Sequence, residues 1–387
     1  MDILIHPGKL SGRLDVIPSK SMAHRFLICA AFAKKSIALI CPETNRDIQA
    51  TADCLRSFGA DIQKTQTGYL VRPIENLPKE AECNCRESAS TLRFLLPVAG
   101  ALGISTTFRM EGRLSQRPLS PLWEEMERMG CTLSRPTENS IHCEGKLRPG
   151  NYTIAGNVSS QFISGLLFAL NLLGQESSLN ITGKAVSAPY AEMTRAALAL
   201  FADESHLPRT IHVEGDWSNG AFWLAANELG SYLTVQNLKQ DSLQGDRICT
   251  ILIPALQKYC RIAANDFPDL VPVLSIVAAA RHGAEFTGIQ HLRTKESDRI
   301  ASILAMIQNL GGIAEAQENK LTIFGTGLTG GTVDSFSDHR IAMSAAIAST
   351  VCKEPVIIRN AECVSKSYPH FWEEFRRLGG KYEQYIR

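Results

Sequence analysis

At 387 residues the chain is long for one hydrophobic core, and two domains of roughly 150–200 residues are the default. Forty Lys and Arg against 39 Asp and Glu leave a net charge of +1. That excludes an overall field able to recruit nucleic acid or an anionic membrane surface, so any anion site must be built locally. Asp2 at the N-terminus and the shortness of apolar runs such as 270–280 point to neither export nor a bilayer span, and eleven scattered Cys without a CxxC pair point to reduced thiols, no metal site and a cytoplasmic location.

Residues 14–17 read as a strand that Pro18 closes. Ile17-Pro18-Ser19-Lys20-Ser21-Met22-Ala23-His24-Arg25 then reads as a loop feeding a helix that continues through the apolar stretch 26–33, with Ser19 or Ser21 able to cap it. A helix N-terminus already carries about half a positive charge. Lys20 at that point suits a site that takes an anion, phosphate or carboxylate, between the two. Ser21 and Arg25, four apart, share a helix face and can converge on one oxyanion. A capped helix with solvated Lys20 and Arg25 is the plainer alternative.

Downstream, a pattern of amphipathic helix, small-residue turn and strand recurs. It runs from 48–58 through Gly59-Ala60 into 62–71, from 122–129 through Gly130 into 132–143, from 301–310 through Gly311-Gly312 into 313–324, and from 371–378 through Gly379-Gly380 into 382–386, with weaker copies at 192–201 and 247–262. A second family of helices alternates with the first and begins near Ser21, Ser90, Ser159, Ser218, Asp269 and Asp338. Segments such as 160–173 and 271–280 are apolar all round and should be buried, leaving only their polar starts accessible. The alternation predicts six βαβ-containing units, three per domain, with helix starts facing a cleft between domains. Crossings near 15–19 and 214–218 would make the second domain discontinuous: 17–216 form the first, 1–16 with 217–387 the second.

The polar clusters fall at those helix starts. Ser88-Ala89-Ser90-Thr91-Leu92-Arg93 enters a helix, and Ser115-Gln116-Arg117-Pro118 puts Arg117 in a loop. Val158-Ser159-Ser160-Gln161 offers two hydroxyls and an amide, an inventory for sugar hydroxyls or a phosphate. Ser187 lies in another hydroxyl-rich turn ahead of Tyr190. Each of these alone also fits simple capping. In Arg293-Thr294-Lys295-Glu296-Ser297-Asp298-Arg299, read as helix, Lys295 and Arg299 share a face and Glu296 lies about 100° around; an exposed, ion-paired helix is the alternative. Asp338-His339-Arg340 opens a helix of small residues, and Lys366 stands in a turn before Tyr368-Pro369. Asp269 follows Pro268 ahead of an apolar helix, placed either to cap it or to take a proton.

Taken in order, Pro-Ser-Lys-Ser…His-Arg at 18–25, Ser-Thr-Leu-Arg at 90–93, Gln-Arg-Pro at 116–118, Val-Ser-Ser-Gln-Phe at 158–162, Val-Ser-Ala-Pro-Tyr at 186–190, Val-Glu-Gly-Asp-Trp-Ser at 213–218, Pro268-Asp269, the 293–299 run, Asp-His-Arg at 338–340 and Ser-Lys-Ser-Tyr-Pro at 365–369 resemble the 5-enolpyruvylshikimate-3-phosphate synthase family over essentially the whole chain. Lys20 is followed by Ser21, not by the Asn expected of the related UDP-N-acetylglucosamine enolpyruvyl transferases.

The resemblance implies an α/β fold of two similar domains, each of three βαβαββ units around buried helices, an inside-out barrel with the active site in the cleft. It implies that Lys20, Ser21 and Arg25 form a first anion motif and that Ser159, Ser160, Gln161, Ser187 and Lys295 surround shikimate 3-phosphate. Arg117, Arg299, Arg340 and Lys366 would clamp phosphoenolpyruvate, Asp269 would accept a proton, and Glu296 or Lys20 would donate one. The implied reaction is enolpyruvyl transfer to the 5-hydroxyl of shikimate 3-phosphate, toward chorismate, by a monomer using no cofactor or metal and binding neither nucleic acid nor membrane. Glu87 and Ala89 stand where the family usually has Asn and Gly, and His291 replaces a frequent Asn. The segment 191–212 is short, which should cost the third unit a peripheral strand.

Overall fold

The computed structural model describes residues 1–174 and 176–385, so Ile386 of the expected last strand lies outside the described residues. The chain forms two compact units, Pro18–Glu214 and Met1–Ile17 with Gly215–Arg387. Ile17, Gly215 and Asp216, assigned by sequence to the first domain, pack with the discontinuous unit, where the Asp216 N–H donates to the Ile17 carbonyl at 2.9 Å. In the continuous unit the Ser19 N–H donates to the Glu214 carbonyl at 2.7 Å.

The continuous unit carries helices α1 (Lys20–Ala31), α2 (Arg46–Ser57), α3 (Ala89–Leu102), α4 (Leu122–Arg128), α5 (Ser160–Leu172) and α6 (Ala188–Ala202). Strands Glu80–Asn84 and Ser105–Arg109 flank α3 and run parallel, and α4 then leads into the antiparallel hairpin Cys131–Ser134 and Ser140–Gly145, which completes a βαβαββ unit. A second sheet repeats this order with Ile37–Ile40, Asp61–Thr65 and Gly68–Arg72; its leading strand is Thr210–His212, from the far end of the unit. Among the described residues the third sheet holds only the parallel pair Asn151–Ala155 and Ser178–Thr182. After α6 only 203–209 precede Thr210, too few residues for two strands and a turn. The short segment therefore removes the whole hairpin, not one peripheral strand. The last turn of α5 reflects this, since Leu170 and Leu172 are half-buried and Asn171 is exposed, whereas the helix is buried on most sides up to Ala169.

The discontinuous unit carries α7 (Trp217–Glu228), α8 (Cys249–Ala255), α9 (Val271–Ala280), α10 (Arg299–Asn309), α11 (His339–Ala348) and α12 (Phe371–Arg377). One complete unit runs Cys260–Ala263, α9, Ala284–Thr287, α10, then the hairpin Ile313–Gln317 and Lys320–Phe324. Another runs Gly331–Asp334, α11, Val356–Arg359, α12 and Lys381–Tyr385, and the N-terminal strand Asp2–His6 supplies its missing partner. The third, with Ser11–Asp15 parallel to Tyr232–Gln236 and α7 as the crossover, again lacks its hairpin. Four of the six expected βαβαββ units are thus complete and two are reduced to βαβα.

Each unit has its own hydrophobic core, filled by the second family of helices. α9 is buried from Val271 to Ala279 and α11 along its whole length, as expected for helices apolar on all sides. α3 and α5 approach so closely that a Cβ on Gly165 would lie 2.1 Å from the Arg93 carbonyl oxygen. Gly165→Ala should therefore lower stability by about 1–3 kcal/mol or more, because backbone cannot swing aside as a side chain can. An unchanged urea midpoint would show that the two helices separate without cost.

Among the described residues no helix is long and apolar enough to cross a membrane. All eleven Cys are free; Cys260 and Cys363 are half-buried and the others buried.

Candidate active-site residues

In the continuous unit the predicted residues gather at helix starts. Ser19 caps α1, its Oγ accepting from the Met22 N–H at 3.4 Å, and Lys20 is the first helical residue, with no acidic residue in that turn. Its Nζ donates to Asp47 Oδ2 at 2.9 Å, both side chains mostly buried. Asp47, on the first turn of α2, is a partner that sequence reasoning did not name. Ser21 is half-buried, and its carbonyl accepts from Arg25 Nη1 at 2.7 Å.

Arg25 is no solvated cation. It is buried, with Nε donating to Thr194 Oγ1 (2.9 Å) and Nη2 to Ser164 Oγ (3.2 Å) and the Tyr190 carbonyl (2.7 Å), while its guanidinium lies 5.2 Å from the Phe94 ring centre. Four of its five N–H groups are thus engaged, three of them tying α1 to α5 and α6 and one returning to the Ser21 carbonyl of α1, and one on Nη1 remains.

Arg93, quoted within a motif but given no role, organises the next group. Its Nη1 donates to Gln161 Oε1 at 2.8 Å and lies 3.4 Å from Ser159 Oγ; its Nη2 donates to the Pro118 carbonyl at 2.8 Å, beside Arg117. Gln161 Nε2 reaches Ser90 Oγ at 3.0 Å, and Ser160 is buried one residue before it. Arg117 follows the 3-10 turn Gly112–Gln116 in extended backbone and is half-buried. Ser187 sits in the left-handed region (φ 55°, ψ 40°) at the start of α6, and its hydroxyl caps nothing. The Glu87 carboxylate lies against Gly112, where an added Cβ would come within 2.0 Å of Oε1, and Ala89 opens α3 as a buried residue.

In the discontinuous unit one arginine joins three carboxylates. Arg299, 1% exposed, donates through Nε to Asp338 Oδ2 (2.8 Å), through Nη1 to Asp269 Oδ1 (2.6 Å) and through Nη2 to Glu296 Oε2 (2.7 Å). Asp269 is shared, because its Oδ2 also accepts from Arg340 Nη2 at 2.8 Å. Burial works against ionising Asp269, yet Arg340, Arg299 and Lys295 outweigh it and hold the carboxyl well below the usual carboxylate range. For Arg299 burial again opposes the charge, and Asp338, Glu296 and Asp269 together raise its pKa. Asp338 caps α11 through the Arg340 N–H (3.0 Å) and accepts from Ser297 Oγ (3.1 Å).

Two readings of this region are corrected. Residues 293–299 are not one helix: a 3-10 turn, Gln290–Thr294, ends at an extended Lys295, and α10 begins only at Arg299, capped by Asp298. Asp269 is not a cap, since Leu270 holds the cap position of α9 without a side-chain bond and the Asp269 carboxylate faces the two arginines. Lys366 ends the 3-10 turn Ala361–Lys366 and is half-buried.

Two histidines titrate abnormally low. Burial, then the nearby Lys295, pushes His291 down to about 4; burial, with Lys20 and Arg25 adding and Asp47 opposing, pushes the fully buried His24 down to about 3. Between pH 6.5 and 3 the unfolded chain therefore binds a proton at position 24 that the folded chain does not, and stability falls as the pH falls. From pH 7 to pH 5 His24 should cost about 2 kcal/mol, and His24→Asn should flatten that part of the profile. Parallel profiles for the two proteins would contradict the buried neutral imidazole.

The sequence matches the family model described as EPSP synthase (3-phosphoshikimate 1-carboxyvinyltransferase) over residues 5–375. This chain belongs to the EPSP synthase family. It is 37% identical over 421 aligned residues to the 3-phosphoshikimate 1-carboxyvinyltransferase of Clostridium kluyveri, covering 99% of this chain and 98% of that one, and 35% identical to the Clostridioides difficile protein of the same name, covering 98% of each. Among solved structures it resembles EPSP synthase of Acinetobacter baumannii (TM-score 0.80, 20% identity, 99% of this chain and all of the other). It also resembles the enolpyruvyl transferase NikO of Streptomyces tendae (TM-score 0.70, 15% identity, 99% and 98%). At those identities the structural likeness speaks for the fold, and membership of the family rests on the sequence matches.

Proposed function

We propose that this chain transfers the enolpyruvyl group of phosphoenolpyruvate to the 5-hydroxyl of shikimate 3-phosphate and releases phosphate. Family membership supports the pair of substrates. The observation that carries the chemistry is the Asp269 carboxylate held ionised between two buried guanidiniums, with Glu296 on one of them.

Each substrate brings a phosphate and a carboxylate, so the residues that receive them must offset several negative charges. Ser159, Ser160, Gln161, Ser187 and Lys295 take the hydroxyls and phosphate of shikimate 3-phosphate, together with Ser21 and the remaining Arg25 N–H. Arg117, Arg340 and Lys366 take phosphoenolpyruvate. Arg299 already meets three carboxylates, so its part is to aim Asp269 and Glu296.

Asp269 as found is a weak base, because Arg340 and Arg299 stabilise its charge. An anionic donor at Arg340 would take over part of that guanidinium, and Asp269 would gain basicity as the substrate arrives. It then accepts the 5-hydroxyl proton while O5 bonds to C2 of phosphoenolpyruvate and C3 gains a proton from Glu296 or Lys20. The tetrahedral adduct next loses a proton from C3 and breaks the C2–O bond to phosphate, which leaves the enol ether.

The test is phosphate release with both substrates and with each alone. Release only with both, one phosphate per shikimate 3-phosphate consumed, is the expected result. Release with UDP-N-acetylglucosamine as acceptor instead, or none with both substrates, overturns it.

A further inference from the structure

Lys20 and Asp47 meet across α1 and α2, and one helical turn further on a second pair repeats their spacing. His24 Nδ1 lies 2.7 Å from Thr51 Oγ1, and 24 and 51 are each four residues beyond 20 and 47. Residues four apart share a helix face, so the two pairs form two rungs along a single α1–α2 contact.

The second rung does not end at Thr51. Thr51 Oγ1 lies 2.7 Å from Thr91 Oγ1 on α3, which lies 2.7 Å from Ser88 Oγ and 3.4 Å from the Asp47 carbonyl oxygen. Ser88 in turn caps α3, and all four side chains are fully buried. Three helices are therefore tied through one chain of buried polar side chains.

The chain has a direction. A hydroxyl owns one proton, and Thr91 gives its own to Ser88 or to the Asp47 carbonyl, so Thr51 must give its proton to Thr91. His24 is then the donor through Nδ1–H, which leaves Nε2 bare. Of the two ring nitrogens of His24, Nε2 is the one buried without a partner. The opposite direction would bury an unpartnered N–H there, which folded proteins rarely tolerate.

We propose that His24 and Thr51 are positioning residues for Lys20: their hydrogen bond fixes the register of α1 on α2, and with it the place where Asp47 holds the Lys20 ammonium. This rests on Lys20 acting on substrate as proposed above. A rung that only stabilises the fold would change the melting point and not turnover at saturation. A rung that aims Lys20 changes kcat.

The experiment measures kcat and both KM values for Thr51→Val, Thr51→Ser, His24→Asn and Lys20→Met in the full chain, below their melting temperatures. Thr51→Val keeps the shape and removes the hydroxyl; kcat should fall about ten- to a hundredfold, with both KM values within about twofold, the scale of a misplaced catalytic group. Thr51→Ser and His24→Asn keep a hydroxyl or a donor N–H at the same place and should restore most of kcat. Parental kcat in Thr51→Val beside an inactive Lys20→Met refutes the rung and spares the proposed reaction. A loss in KM alone, or an equal kcat loss in Thr51→Ser, refutes it as well. Full turnover in Lys20→Met removes Lys20 from the mechanism and the inference with it.

Discussion

Replacing Arg299 by Met should lower the unfolding free energy by about 3–5 kcal/mol, the cost of removing one partner from buried ion pairs. Asp338 is fully buried, and Asp269 and Glu296 are 21% and 15% exposed, so three carboxylates would face one another without the cation that joins them. Lys in place of Arg would recover little, since one ammonium on a flexible stem cannot meet three acceptors along three directions as the guanidinium does. The pH dependence gives the mechanism away. In the parent, Asp269 has a depressed pKa, so its contribution is present above the ordinary carboxyl range near pH 4 and is lost as the pH falls through the folded value. In Arg299→Met the crowded carboxylates would resist ionisation, and acidification toward pH 5 should shrink the deficit. A loss under about 1 kcal/mol, or a deficit independent of pH, would mean that the three carboxylates have other support.

Asp269→Asn should reduce turnover by about a hundredfold or more while shikimate 3-phosphate still binds, the usual scale for losing a general base. The amide has almost the shape of the carboxylate, but its single oxygen can accept at only one of the two positions that Arg299 and Arg340 now share, its NH2 meets the other guanidinium, and it cannot take the 5-hydroxyl proton. Some stability should go too, because two buried guanidiniums lose a counter-charge. Near-parental kcat in the variant would remove Asp269 from the proton transfer and leave it an organiser of the two arginines.

The sequence marks where helices begin far better than what their side chains meet. α1, α3, α5, α7, α9 and α11 all start within two residues of the positions read from Ser21, Ser90, Ser159, Ser218, Asp269 and Asp338, because capping and apolar stretches are local signals. The spacing reads Lys295 into a helix, because Lys, Glu and Arg at those positions look alike in a helix and in a loop. Only the pull of Asp338 on Ser297 and Arg299, from forty positions away, shows the chain to be extended there. Asp47 carries no local signal beyond an acid in the first turn of α2, and its pairing with Lys20 is a tertiary fact. The sequence offers Arg25 either to an oxyanion shared with Ser21 or to solvent; it does not show Thr194, Ser164 and the Tyr190 carbonyl, all more than 130 residues away, which bury it. The hairpin missing after α6 is half legible, since the short segment 191–212 shows that something is absent but not how much, whereas the one missing from the unit of α7 is not read from the sequence at all.

The most direct measurement is the identity of the product. Incubated with shikimate 3-phosphate and phosphoenolpyruvate, the protein should yield a compound whose vinyl methylene protons correlate by NMR through the ether oxygen to C5 of the shikimate ring. Substrates recovered intact, or a vinyl ether on any other oxygen, would contradict the account.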